Sequence, residues 1–260
     1  MNDGLRDALE AAARDEAGAN ARKQFGECLA ATLRAGGQML WIGGAIIGPD
    51  RAEGQSPFDF GSDATVGLAT VMQIAGELVS GAVLLLGEGN RYAAAALIRQ
   101  LVEVEYLAWA FAEDEEEARD WMRSSRKERQ RFWKPARIRE RAGSRFRGED
   151  YWEHCGKGGH PSPEGIYLLP DHCAPEASAS FWWCDMAIHG HSVWRYALAA
   201  AKQFGQEDVL TSLNEANALQ DAETHWRDGD PFIELCSRLN PPPGGLVGTL
   251  VRLRQEREGK

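Results

Sequence analysis

NRYAAAALIRQLVEVEYLAWAFA, residues Asn90 to Ala112, decides the fold. Its apolar residues run nearly all the way round a helix, a pattern that belongs to a buried helix and not to a surface one. At roughly 100° per residue, Arg99 and Glu103 fall on one line, with Tyr92 and Tyr106 beside them. Gln100 sits at the edge of that stripe, and Glu105 points to the far side. The sequence therefore predicts an i,i+4 ion pair, Arg99/Glu103, carried into a protein interior. Two readings are open. The pair is a charged dyad facing a polar pocket, or it is a structural ion pair extended by Gln100 or Tyr106.

Upstream, Ser62 is placed to cap a helix over Asp63 to Leu86, whose Val66, Leu68, Val71, Met72, Ala75, Leu78, Val79 and Ala82 form a broad apolar face. Gly87-Glu88-Gly89 leaves room only for a tight turn, so this helix and the next should pack as an antiparallel hairpin. Further upstream, Asp3 to Ala35 reads as a helix in two parts divided near Gly18 and closed by Gly36-Gly37. Met39 to Ile47 is a short apolar segment, and residues 48–61, with Pro49, Pro57 and several glycines, read as loop.

Downstream, acidic Glu113 to Glu117 suits the positive end of a helix running from about Asp114 to Phe132, with Trp121 and Met122 facing in. Pro135 interrupts it, and Arg137 to Phe146 forms a short basic helix. Arg147 to Ser178 is rich in Gly and Pro yet carries many aromatics, which predicts a long packed loop. Ser180 to Phe204 is a second strong helix. Asp208 to Trp226, Pro231 to Leu239 and Leu246 to Glu258 complete the helical segments. There is no alternating strand pattern and no internal repeat. The expected fold is all-α, a bundle of about six helices with a packed Gly/Pro-rich loop. It is read as one domain over 1–260, with 1–37 as an N-terminal segment, 62–205 as the core bundle and 206–260 as C-terminal helices.

Net charge is −10 over 260 residues, which argues against general affinity for nucleic acid. The average hides an asymmetry. Between Arg119 and Arg147, ten Arg and two Lys stand against Asp120, Glu128 and Glu140. That segment carries nine excess positive charges and leaves −19 for the remainder. Arg126, Lys127, Arg129, Arg131, Lys134 and Arg137, interleaved with Phe132 and Trp133, have the make-up of a phosphate-contacting surface with stacking platforms. A solvated helix partly neutralised by Glu113 to Glu117 is the competing reading. The five Cys are odd in number and widely spaced, which fits reduced thiols in a cytoplasmic protein. No apolar run reads as a membrane span, since Leu78 to Leu86 is broken by Ser80 and Gly81.

Two further groups carry candidate chemistry. His154, Cys155, His160, His172 and Cys173 are all zinc-competent, but no Cys-x2-Cys or His-x3-His pair joins them, so neither metal nor cofactor is assigned. Asp185 and His189, four apart on the late helix, face each other, and an Asp-oriented imidazole is what a general base needs. No nucleophile elbow is present, so a hydrolase triad has no support.

LLGEGNRYAAAALIRQLVEVEYLAWAF, followed by YWEHCGKGGHPS, resembles a group of bacterial helical proteins with an Arg-x3-Glu helix and a downstream Tyr…His-Pro/Ser segment. The matching positions are Arg99, Glu103, Tyr151 and His160. The resemblance implies a helical bundle and brings no activity with it. A second, weaker resemblance is to HEPN-type helical proteins, many of them ribonucleases, through Arg147 and His154 with six residues between them. Gly148 follows the arginine where that family usually has a polar residue, and here the motif reads as loop. The resemblance implies proton transfer by His154 at a ribose hydroxyl and phosphate stabilisation by Arg147.

The expected function is therefore nucleic-acid-directed, of a defence or toxin type. The basic segment 119–147 would meet RNA, with His154, His160 or His189 near the phosphate beside Arg147 and Asp185. The alternatives are a non-catalytic module docking an acidic protein, and a small-molecule or metal site formed by the loop over the late helix. The many Trp and Phe leave room for a homodimer.

Overall fold

The computed structural model describes residues 3–42, 62–146, 148–169, 176–215 and 218–238. Among these the protein is all-α, with twelve α-helices: α1 Asp3–Ala13, α2 Glu16–Ile42, α3 Asp63–Gly87, α4 Arg91–Glu113, α5 Glu115–Arg123, α6 Arg126–Phe132, α7 Pro135–Ala142, α8 Gly148–His154, α9 Glu176–Gln203, α10 Glu207–Glu215, α11 Ala218–Gly229 and α12 Pro231–Arg238. A π-helical turn, Cys155–Gly159, continues α8, and a 3-10 turn covers Pro163–Leu168.

The count exceeds the expected six because local signals cut the segments. Ser125 caps α6 in a capping box with Glu128, which ends the helix expected to run through to Phe132. Arg14 and Asp15 separate α1 from α2, and Asp15 accepts from the Gly18 amide at 2.7 Å. The stretch expected as loop after Phe146 is largely short helices. Leu246 to Glu258, His172, Cys173 and Arg147 lie outside the described residues.

Four long helices form the core. α3 lies at the centre, packed against α2, α4, α5 and α9, and α4 is clasped between α3 and α9. One contiguous apolar cluster draws on described residues from Leu9 to Cys236. Ser62 caps α3, its hydroxyl accepting from the Thr65 amide at 3.3 Å. The turn into α4 needs the left-handed conformation of Gly89, φ 73°. α3 is long and apolar enough to cross a membrane, with an 18-residue window of mean hydropathy 1.7, because the helix runs straight through Ser80-Gly81. Half of that window is buried inside the fold, as in a core helix.

Gly36-Gly37 does not close α2. Both glycines are buried in its interior, where α2 and α3 approach too closely for side chains. A Cβ at Gly37 would stand 2.8 Å from the Ala69 carbonyl oxygen, and one at Gly76 would stand 3.1 Å from that of Ala30. Gly37→Ala is expected to push the two helices apart and cost about 1–3 kcal/mol. The denaturation midpoint should fall accordingly; an unchanged midpoint would mean the contact is not that tight.

Candidate functional site

Four titratable side chains from three helices meet in the interior. His154 ends α8, Asp185 and His189 lie one turn apart on α9, and Glu105 reaches them from α4. All four residues are between 5% and 8% exposed. His154 Nε2 is 2.6 Å from Asp185 Oδ2, and His189 Nε2 is 3.5 Å from Asp185 Oδ1. On its other side His189 Nδ1 is 2.5 Å from Glu105 Oε2. The two imidazoles stand nearly perpendicular, centroids 5.3 Å apart, and the edge of Trp182 closes on His154.

The electrostatics follow from that chain. Burial pulls His189 towards its neutral form. Glu105 and Asp185 on either side outweigh it and hold the imidazole pKa well above the usual value. Burial pushes the Asp185 carboxyl up, but His154 and His189 hold it below the usual carboxylate range. His189 thus lies between two carboxylates that favour its protonated form.

The expected Arg99/Glu103 pair forms, but on the flank of α4 and not in the interior. Arg99 Nη2 is 2.8 Å from Glu103 Oε1, with side chains 17% and 31% exposed. The Tyr151 phenol donates to the same oxygen at 3.0 Å, and the Arg139 guanidinium lies 4.3 Å over the Tyr151 ring. Burial, then the neighbouring Glu103, push the Tyr151 phenol up. Three of the four residues that carry the bacterial-family resemblance therefore touch in one chain. The fourth, His160, is exposed at the end of the π-helical turn, where its carbonyl accepts from Tyr92 Oη at 3.5 Å.

Of the sequence candidates, the structure joins His154, Asp185 and His189 and leaves His160 at the surface. Glu105 is the member that sequence reasoning missed. α4 is apolar nearly all round, so helical phase alone does not tell which carboxylate goes deepest. α8 begins at Gly148, so the Arg-x6-His spacing spans a helix start and not the loop expected there.

The basic segment divides in two. Arg119, Arg123, Arg137 and Arg141 pair with Glu115 and Glu116, with Asp63, with Glu140 and with Glu117. Arg129 donates to the Ser124 carbonyl and hydroxyl. Arg126, Lys127, Arg131 and Lys134 are exposed, and none has an acidic partner among the described residues. Phe132 is 43% exposed, with the Arg131 guanidinium 4.9 Å over its ring.

A second buried ionic cluster, Arg22 with Asp230, lies near Cys184 of α9, the residue next to Asp185. Burial raises the Cys184 and Cys236 thiols, and the Asp230 carboxylate raises them further, Cys236 to about 12. At pH 8 a thiol of that pKa is about 0.01% thiolate, the nucleophilic form. Among the four described cysteines, native-state alkylation should therefore reach the half-buried Cys28 first and Cys236 and Cys184 last. Mass spectrometry of a timed iodoacetamide reaction reads the order, and early labelling of Cys236 would contradict it.

The chain matches no family model, and no curated protein or solved structure matches it either.

Proposed function

We propose that the chain is an RNA-binding protein that contacts single-stranded phosphate backbone through the exposed α6–α7 face. The observation that carries this reading is the run of exposed Arg126, Lys127, Arg131 and Lys134 without acidic partners among the described residues, with Arg131 over the ring of an exposed Phe132. A chain with −19 elsewhere has every opportunity to neutralise these cations internally, and it does so for their neighbours. At physiological salt a charge is felt over about 8 Å, so the cluster attracts phosphate despite the acidic remainder. Phe132 offers a stacking surface, which contributes about 1–3 kcal/mol per base in such sites.

The reading is of binding and not of cleavage. His154 is 5% exposed and already held by Asp185, so it is not free to take a proton from a ribose hydroxyl. A docked acidic protein is the rival partner, and it lacks the ladder of phosphates and bases that the Arg/Phe pairing fits.

The test is fluorescence anisotropy with a labelled single-stranded RNA. The variant Arg126→Gln/Lys127→Gln/Arg131→Gln/Lys134→Gln should lose at least about tenfold in affinity with its helix content unchanged. Equal affinity in the variant, or no binding by the wild type at low salt, would overturn the proposal.

A further inference from the structure

The buried chain of His154, Asp185 and His189 lies apart from the basic face and needs its own explanation. We propose that these three residues bind one divalent first-row transition ion, with Glu105 holding His189 in the ligating orientation. The inference does not rest on the RNA reading.

Four observations carry it. One ligand atom from each residue lies within 4.8 Å of the others, all three residues are buried, and no other such group occurs among the described residues. Two ligand atoms on a tetrahedral zinc ion, each about 2.0–2.1 Å from it, are about 3.3 Å apart. His189 Nε2 stands 3.5 Å from one Asp185 oxygen, close to that value, and His154 Nε2 stands 2.6 Å from the other, so His154 must open by about 0.7 Å to seat the ion. His189 already shows the outer arrangement of a metal-ligating histidine. Its Nδ1 is held by the Glu105 carboxylate at 2.5 Å, which leaves Nε2 for the ion. Finally, His154 is delivered by a helix end that runs into a π-helical turn, and that turn is clamped to α4. A Cβ at Gly158 would stand 3.0 Å from the Ala95 carbonyl carbon.

Two imidazoles and one carboxylate suit zinc, iron(II), cobalt or manganese over magnesium or calcium. Three protein ligands leave a coordination position for water or a substrate atom, the pattern of a reactive centre and not of a closed structural one.

The test uses the full chain. Protein purified from zinc-supplemented culture should carry about one zinc per chain by elemental analysis. After removal of metal with a chelator, zinc at a hundred times its Kd should raise Tm by about 5–10 °C. Cobalt(II) should bind with a visible spectrum of nitrogen and oxygen ligation that Cys155→Ser does not alter. Glu105→Gln should weaken zinc about 10–100-fold, and His154→Gln by more. Should both variants unfold by circular dichroism, the wild-type stoichiometry and Tm shift decide. Metal-free wild-type protein with a Tm indifferent to zinc and cobalt overturns the proposal. So does equal zinc affinity in wild type and both folded variants.

Discussion

Arg22→Leu is expected to lower stability by about 3–5 kcal/mol, among the largest effects any single substitution in this chain should have. Arg22 is 3% exposed, and its Nη1 lies 2.6 Å from Asp230 Oδ2, whose side chain is fully buried. Nη2 donates to the Ala13 carbonyl at 2.8 Å, satisfying the open C-terminal end of α1. Asp230 is committed on its other sides, accepting from Trp226 Nε1 at 3.0 Å and from the Phe232 amide at 2.9 Å. Removing the arginine leaves a buried carboxylate with no cation, and the end of α1 loses its partner. At roughly 2–4 °C per kcal/mol for a chain of this size, Tm should fall by about 6–20 °C. The double variant Arg22→Leu/Asp230→Asn removes both charges and keeps an oxygen for the Phe232 amide. It should recover a good part of the loss, the signature of an uncompensated charge and not of lost packing. A double variant as unstable as Arg22→Leu would assign the cost to the Ala13 contact instead.

Asp230 shows how far the sequence could be read. Asp followed by Pro231 is the signature of a helix start, and Asp230 does cap α12. Nothing local says that its partner is 208 residues away on α2. The same division runs through the molecule. The all-α class was legible because long apolar-periodic runs such as α3, α4 and α9 admit no other structure. The breaks between α5, α6 and α7 were harder. Ser125 with Glu128 is a recognisable capping box, but charged helix formers on both sides of Ser124-Ser125 let the segment read as one helix. Gly36-Gly37 was misleading, since a glycine pair ends helices in isolation and permits close helix packing in a core. At the candidate site, Asp185 and His189 were legible from their four-residue spacing. Glu105 and the burial of His154 were not, because both depend on how α8 settles against α4 and α9.

The second large effect concerns the basic face. Each cation that neutralises a phosphate releases a condensed counterion, so four contacts predict a slope of about −3 for log affinity against log salt on a single strand. Affinity should then fall about fiftyfold between 50 and 200 mM salt. Phe132→Ala should weaken binding by about 1–3 kcal/mol at every salt concentration and leave the slope unchanged, because stacking is not an ionic contact. These two responses separate a nucleic-acid surface from a merely basic one. Polyglutamate offers charge without bases, so its binding should be indifferent to Phe132.

Anisotropy of a labelled single-stranded RNA, titrated with the wild-type chain across that salt range, tests the central claim most directly. The proposal predicts binding with a slope near −3 that flattens towards zero when Arg126, Lys127, Arg131 and Lys134 are neutralised. A slope that the four substitutions leave unchanged, or preferential binding of polyglutamate over RNA, would contradict it.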